Sequence, residues 1–205
     1  ILEQLYRDGH LNFIVNAGIL AEPIDISNYT TIDMQLFAHN SMEINTKKND
    51  LRDVHPGTGF GGRVKDVLES KHIPTDTFSI FGQQTLFNGI PAERNTAAYV
   101  LEENGLAAFN ANPSISNMED VMRSLNTKTV PTSPYFADTW SSKFSSFLSQ
   151  QAQLKAAVDS TTVFTEFPSS SIGQQLQLVT QLMQTRDGRG KNRDIFYVQD
   201  SGYDH

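Results

Sequence analysis

The closing stretch Arg193-Asp194-Ile195-Phe196-Tyr197-Val198-Gln199-Asp200-Ser201-Gly202-Tyr203-Asp204-His205 decides how the fold is read. Ile195 to Val198 is a short β-branched and aromatic run, which predicts a buried strand. The Asp-Ser-Gly turn carries Asp204 and His205 past the carboxyl end of that strand, where ligands of open α/β sheets bind. A carboxylate and an imidazole suit a hard or borderline metal, so we predict Asp204 and His205 as metal ligands. The alternative is a capped, solvated turn.

Outward from this strand, strand-like and helix-like segments alternate along the chain. Further strands are predicted at 11–17 and 78–81, and less regular strand pieces at 86–90 and 97–101. Predicted helices begin near residues 2, 59, 118, 135 and 171. This order favours an α/β layer structure with a largely parallel sheet. We therefore predict that residues 1–205 form a single α/β domain, a fragment of a longer chain that lacks the first strand and the C-terminal part.

Two long amphipathic helices are the clearest local predictions, because their apolar residues recur at steps of three and four. The glutamines between the apolar positions of the second helix are read as its solvated face. The two predicted apolar stripes are Trp140, Phe144, Phe147, Leu148, Leu154 and Val158 in the first helix, and Ile172, Leu176, Val179, Leu182 and Met183 in the second.

A long polar segment, residues 24–58, lacks sustained periodicity and is predicted to be a loop. A loop of this length in a compact domain is usually functional or disordered. It contains His39, Asn40 and Ser41, which place an imidazole, an amide and a hydroxyl side by side. We predict these three as catalytic residues. A structural role is an equally supported alternative. Consecutive residues do not make a nucleophile–base pair by themselves, so a base would come from elsewhere.

The glycine-rich segment 57–62 formally satisfies the pattern G-x-G-x-x-G. It follows a His-Pro loop and not a strand, which argues against a dinucleotide site. A glycine-rich start of a helix is the simplest interpretation, and this helix is predicted to carry Val64, Val67 and Leu68 on one face. A functional interpretation also stands, because amide groups at a helix N-terminus hold anions. We predict Gly61, Gly62 and Arg63 as an anion-binding group.

Composition excludes several functional classes. A net charge of −7 without a Lys/Arg run argues against nucleic acid as the main partner. The absence of cysteine excludes disulfides, thiolate metal sites and a cysteine nucleophile. No apolar run approaches the roughly 20 residues of a membrane span. The patterns G-x-S-x-G, H-E-x-x-H and the P-loop are also absent, so the commonest hydrolase and kinase signatures do not apply.

Four segments, taken in order, resemble one known family. The set is similar to DUF1501, a large, mostly bacterial family of unknown function in the alkaline phosphatase and sulfatase superfamily. Each motif is weak alone, whereas the ordered set is fairly specific and runs across nearly the whole chain. The segments are Gly9 to Phe13 with Asn16 to Pro23, Leu36 to Ser41, Thr58 to Arg63, and Arg193 to Phe196 with Gly202 to His205.

The resemblance implies a three-layer α/β/α sandwich, incomplete in this chain, with metal ligands and a nucleophile at the carboxyl ends of the strands. It implies hydrolysis of phosphate or sulfate esters, on a small molecule or a polysaccharide, assisted by a divalent metal such as zinc, calcium or magnesium. Asp204 would be a metal ligand, His39 a ligand or base, and Arg63 an anion clamp with the Gly61 and Gly62 amides. His205 falls one position before the family's usual histidine.

Two further expectations follow from the resemblance. Many relatives are exported, so an extracytoplasmic or secreted protein is expected. No C/S-x-P-x-R motif occurs, which argues against a formylglycine sulfatase mechanism. The alternative function is a non-catalytic exported or surface protein of the same fold, with a structural or carbohydrate-binding role, since a fold does not carry its function with it.

Overall fold

The structure is a computed structural model that describes residues 2–14, 18–20, 22–32, 35–36, 38–52, 57–90, 98–102, 117–127 and 135–202. Three strands, β1 (Thr75–Ser79), β2 (Tyr99–Val100) and β3 (Arg193–Tyr197), form a parallel sheet in the order β2-β1-β3. The register of β1 and β3 runs from Thr75 opposite Arg193 to Ser79 opposite Tyr197. The predicted mixed α/β class, the parallel pairing and the closing strand are therefore confirmed.

Six helices accompany the sheet in the part of the chain that the structure describes. Helices had been predicted near five of them, and the exception is the second, which lies inside the predicted loop. A short 3-10 turn at Thr85–Phe87 follows β1. The helices are α1 (Leu2–Arg7), α2 (His39–Lys47), α3 (Phe60–Ser70), α4 (Met118–Thr127), α5 (Tyr135–Asp159) and α6 (Ser171–Gln184).

The core is built around Phe78 of the central strand, which is fully buried. Its ring stacks on Tyr99 of β2 at 5.1 Å and on Phe196 of β3 at 5.3 Å between ring centroids. Stacked aromatic pairs of this kind add to the stabilisation that burial gives. All five residues of β1 are buried, so both faces of this strand are covered. The remaining buried members of the core cluster are Ile80, Leu101, Leu154, Val158, Leu178 and Leu182.

The prediction of a loop over residues 24–58 was wrong at α2, and two strand predictions also fail. α2 carries no strong apolar stripe, and it is placed by contacts of its last turn with distant residues, which periodicity does not reveal. Residues 86–90 include part of the 3-10 turn and no strand. Residues 11–14 are not a strand either, and Ile14 is largely exposed; the rest of that predicted strand, 15–17, lies outside the described residues.

The buried face of α6 is rotated from the predicted stripe. Leu176 and Met183 were predicted inside but are exposed, whereas Gln175 was predicted outside and is fully buried. The spacing of the buried positions is still helical. The helix begins where expected, with the Ser170 hydroxyl accepting a hydrogen bond from the Gly173 N–H at 3.3 Å. The buried residues of α6 are Gly173, Gln175, Leu178 and Leu182.

The long helix α5 does not bury one continuous stripe. Leu148, Leu154 and Val158, in its carboxyl half, are buried as predicted. Trp140 and Phe147 are exposed instead, and Trp140 packs at an angle against Phe144 with 5.2 Å between ring centroids. Among the described side chains of α5, only those in its carboxyl half join the core around Phe78. α4 also packs on α5, and Arg123 of α4 donates to the Ser149 hydroxyl.

Candidate functional site

A polar cluster lies at the carboxyl ends of β1 and β3, and we call it the carboxyl-edge cluster: Glu43, Lys47, Gln84, Tyr197 and Gln199. The Lys47 ammonium donates to Glu43 Oε1 at 2.6 Å and to Gln84 Oε1 at 2.6 Å. The same ammonium lies 4.9 Å from the centroid of the Tyr197 ring, a cation–π contact. The Tyr197 hydroxyl donates to Gln199 Oε1 at 2.5 Å. These contacts fix the last turn of α2 against the end of β3.

Both charged members of the carboxyl-edge cluster are ionised at neutral pH. The hydrogen bond from Lys47 lowers the pKa of Glu43, against the opposing effect of partial burial, and Gln199 adds a further hydrogen bond. Burial acts to lower the pKa of Lys47, but the hydrogen bonds and charges of Glu43 and Tyr197 outweigh it, so that this pKa is raised. Lys47 is almost completely buried, which makes it a fixed positive charge at this end of the sheet.

Gln175 of α6 holds the segment that leaves β3. Its amide donates to the Gln199 carbonyl at 2.9 Å and to the Ser171 hydroxyl at 3.1 Å. Its carbonyl oxygen accepts from the Gln199 N–H at 3.0 Å. One buried side chain therefore satisfies both backbone groups of Gln199 and sets the direction in which the chain continues. The positions 175, 178 and 182 have helical spacing, and that spacing is the signal that could have identified Gln175 as a core residue.

We expect Gln175→Met to lower the free energy of unfolding by about 2 kcal/mol, because it leaves the Gln199 N–H and carbonyl without their buried partner. Urea denaturation measures this change. Gln177→Met is the matched control, since Gln177 is exposed on the same helix and should change stability by less than about 0.5 kcal/mol. Equal effects of the two variants would contradict the anchoring role of Gln175.

The three predicted catalytic residues lie in the first turn of α2 and not in a loop. The Asn40 side-chain carbonyl accepts from the Ser41 N–H at 2.9 Å, and the Ser41 hydroxyl donates to Gln35 Oε1 at 3.0 Å. His39 is exposed. His39 lies four residues before Glu43 and eight before Lys47, so the three side chains share one face of the helix. The structure thus places His39 on the face of α2 that carries the carboxyl-edge cluster.

The predicted metal ligands Asp204 and His205 lie outside the described residues, and their role stays a prediction. The described chain continues from β3 through Asp200 and Ser201 to Gly202, which has a positive φ of 92°. Among the residues that the structure describes, no group of three or more His, Cys, Asp or Glu side chains is close enough together to hold a metal ion.

The predicted anion-binding residues Gly61, Gly62 and Arg63 do lie at the start of a helix, α3. A Cβ at Gly62 would stand 2.3 Å from the carbonyl oxygen of Asn88, and one at Gly61 would stand 3.1 Å from that of Leu86. The glycines therefore allow the segment after β1 to pack directly on α3. The Arg63 guanidinium pairs with Asp66 at 3.1 Å. These contacts account for the glycines by packing, and anion binding stays a prediction.

The sheet-facing side of α3 also differs from the prediction. Val64 and Val67 were expected to share its apolar face with Leu68, yet both valines are exposed. Lys65 is buried in their place and pairs with Glu69 at 3.8 Å. Burial lowers the pKa of Lys65, and the positive charge of Lys191 acts in the same direction. The glycines allow this close approach at the start of α3, and the face of the helix that carries Lys65 is the one that lies inward.

Comparison with known proteins finds no match to a family model, to a curated protein or to a solved structure. None of the described helices is both long and apolar enough to span a lipid bilayer.

Proposed function

We propose that this chain is part of a metal-dependent hydrolase of phosphate or sulfate esters, as its resemblance to the DUF1501 family implies. One observation carries the proposal. The α2 face that bears His39 is fixed, through Lys47, against the end of the strand whose continuation bears Asp204. The carboxyl ends of parallel strands are where α/β proteins bind their ligands. We therefore expect the imidazole of His39 and the carboxylate of Asp204 to meet at this edge of the sheet.

The proposed architecture behind this site is a three-layer α/β/α sandwich. The burial of β1 along its whole length supports it. Because successive side chains of a strand point to opposite faces, both faces of β1 are covered. Phe78 faces the core formed with α5 and α6, whereas α3 also packs on β1. A central strand covered on both faces is typical of parallel sheets with helices on each side.

The donor set suits a divalent metal such as zinc, calcium or magnesium, because carboxylate and imidazole are ligands of hard and borderline cations. Asp204, with His205 beside it, would hold the ion, and His39 would act as a further ligand or as a base. When bound, the metal would supply an activated water by lowering the pKa of that water to about 7. Arg63 and the Gly61 and Gly62 amides would hold the ester's anionic oxygens.

The ion pair of Lys47 and Glu43 adds to this proposal. It stands at the same edge of the sheet, and Gln84 also accepts a hydrogen bond from Lys47. The two charges of the pair balance, so its contribution is to hold the face of α2 that bears His39 in place, and not to attract an anion. The proposed substrate class is an anionic ester, on a small molecule or a polysaccharide, and the proposed compartment is extracytoplasmic.

The proposal is tested by metal analysis and by hydrolysis of p-nitrophenyl phosphate and p-nitrophenyl sulfate. Asp204→Ala is expected to remove the bound metal, and His39→Ala to lower kcat by about 100-fold, as loss of an acid–base residue does. His10→Ala and Asp187→Ala are the matched controls, because both residues are exposed and lie outside the proposed site. Absence of both metal and activity in the unaltered protein would overturn the proposal.

A non-catalytic role in carbohydrate binding or surface structure is the second candidate. The observation that favours it is the closed hydrogen bonding of the carboxyl-edge cluster, in which Lys47 and Tyr197 donate to other members. Gln175 of α6 in turn donates to the Gln199 carbonyl. Such satisfied networks give rigidity without chemistry. An unaltered protein that hydrolyses neither ester, with or without added divalent metal, would favour this candidate.

A further inference from the structure

A cleft separate from the carboxyl-edge cluster lies beside the first half of the central strand. It has a volume of about 520 Å³ and is bounded by α5, by the turn after α6 and by the sheet. Asp76, near the start of β1, lies at its base, so the cleft is displaced toward the amino ends of the strands. Its size falls within the roughly 300–1,000 Å³ of small-molecule sites. The polar side chains that line the cleft include Tyr99, Gln150, Gln153, Arg189 and Lys191.

The ionised groups at the base of the cleft neutralise one another. Asp76 accepts hydrogen bonds from Arg189 and, at 2.8 Å, from Lys191. Arg189 also donates to Asp194 at 2.7 Å. Two cations thus face two carboxylates, and the nearby Lys65 is paired with Glu69. The cleft therefore has no net charge that would select an ion over a neutral ligand.

The lining of the cleft also includes polar groups with free hydrogen-bonding capacity. Gln150 and Gln153 lie on the face of α5 that also carries Leu154 and Ala157. Within the described structure, neither glutamine side chain has a hydrogen-bond partner. Each amide can both donate and accept. Burial, together with the charge of Asp76, raises the pKa of Tyr99, so its hydroxyl keeps its proton at neutral pH and can donate.

We propose that this cleft binds a neutral, hydroxyl-rich small molecule of the size of a mono- or disaccharide. Hydroxyl groups donate and accept at once, which matches the two amides and the tyrosine hydroxyl. The apolar surface of Leu154 and Ala157 suits the C–H face of a sugar ring. The site does not depend on the proposed ester hydrolysis, because it shares no residue with the carboxyl-edge cluster.

Calorimetric titration with glucose, galactose, maltose and sucrose tests this site, with inorganic phosphate and citrate as anionic probes. At least one sugar is expected to bind with a Kd of about 1 mM or tighter. Gln153→Ala and Tyr99→Phe should each weaken that binding at least about fivefold, the loss of one hydrogen bond. Gln177→Ala, an exposed glutamine on α6, is the matched control and should leave the Kd unchanged.

The variants are chosen to preserve the fold. Gln153 is exposed, and Tyr99→Phe keeps the ring that stacks on Phe78. Three results would overturn the proposal: no binding of any of the four sugars, binding of phosphate or citrate in their place, or sugar binding that neither Gln153→Ala nor Tyr99→Phe weakens. The last result would place the sugar at another site. Ester hydrolysis plays no part in the readout, so failure here leaves the proposed function standing.

Discussion

Arg189→Met is expected to lower the free energy of unfolding by about 3–5 kcal/mol, the cost of breaking a buried ion pair by removing one partner. The Arg189 guanidinium bridges the first halves of β1 and β3 by donating to Asp76 and Asp194. The side chains of these two carboxylates are only 5% and 4% exposed. Without Arg189, Asp194 keeps no cation partner in the described structure, and Asp76 keeps only Lys191.

Further contacts of Arg189 increase the expected loss. Its guanidinium also donates to the Thr185 hydroxyl at 3.0 Å and to the Leu182 carbonyl at 3.3 Å, which ties the turn after α6 to the sheet. The guanidinium carbon lies 4.9 Å from the centroid of the Phe78 ring, at the centre of the core. Removing the side chain therefore disturbs the ion cluster, the turn and the packing of Phe78 together.

Chemical denaturation of Arg189→Met and Arg186→Met, side by side, measures this effect. Arg186 lies in the same turn, is 45% exposed and pairs only at 3.5 Å with the exposed Asp187. Its substitution should change stability by less than about 0.5 kcal/mol. Adding Asp76→Asn and Asp194→Asn to Arg189→Met should recover part of the loss, because no buried carboxylate is then left without a cation, and Lys191 is 30% exposed to water. Similar midpoints for the two methionine variants would refute the buried cluster.

The helices and strands that could be predicted from the sequence are those indicated by a pattern of nearby residues. The run Ile195 to Val198 indicated a strand, and the three-and-four spacing of α5 and α6 indicated helices, because these signals depend on neighbours within a few residues. The parallel pairing also followed from the alternation of elements. The rotation of α6 did not follow, since the partner that buries Gln175 is the backbone of Gln199, 24 residues away.

The carboxyl-edge cluster was missed for a related reason. Glu43 and Lys47, four residues apart, look like an ordinary solvated pair on a helix surface. The burial of Lys47 depends on Gln84, 37 residues further along the chain, and on the Tyr197 ring. Similarly, the ion pair of Arg189 with Asp76 spans 113 residues. A single sequence holds no signal for such long-range pairs. What the sequence could predict is that ligands bind at the carboxyl ends of parallel strands.

The second large effect is expected from Gly62→Ala, which should lower the free energy of unfolding by about 3 kcal/mol, at the upper end of overpacking costs. An added Cβ would lie 2.3 Å from the Asn88 carbonyl oxygen and 2.6 Å from the Gly89 nitrogen. Both are backbone atoms, so relief requires the whole segment to move. That movement would break the hydrogen bond from the Gly59 N–H to the Asn88 carbonyl at 2.8 Å.

Whether Gly62→Ala raises or lowers the free energy of unfolding shows whether close packing or helix propensity dominates at this position. Alanine is favoured over glycine by about 1 kcal/mol inside a helix, so a Gly62 free of close contacts would give a more stable protein on substitution. Gly61→Ala is the nearest control, because its Cβ would meet no atom closer than the Leu86 carbonyl oxygen at 3.1 Å. Gly188→Ala, with its nearest atom at 3.5 Å, should be almost neutral.

Thermal and urea unfolding of these three variants rank the contacts directly. The expected order of stability loss is Gly62→Ala, then Gly61→Ala, then Gly188→Ala. A stabilised Gly62→Ala would show that residues 88 and 89 do not lie against α3. The packing account of the glycine-rich segment would then fail, and the first turn of α3 would be free for the anion that Gly61, Gly62 and Arg63 were predicted to bind.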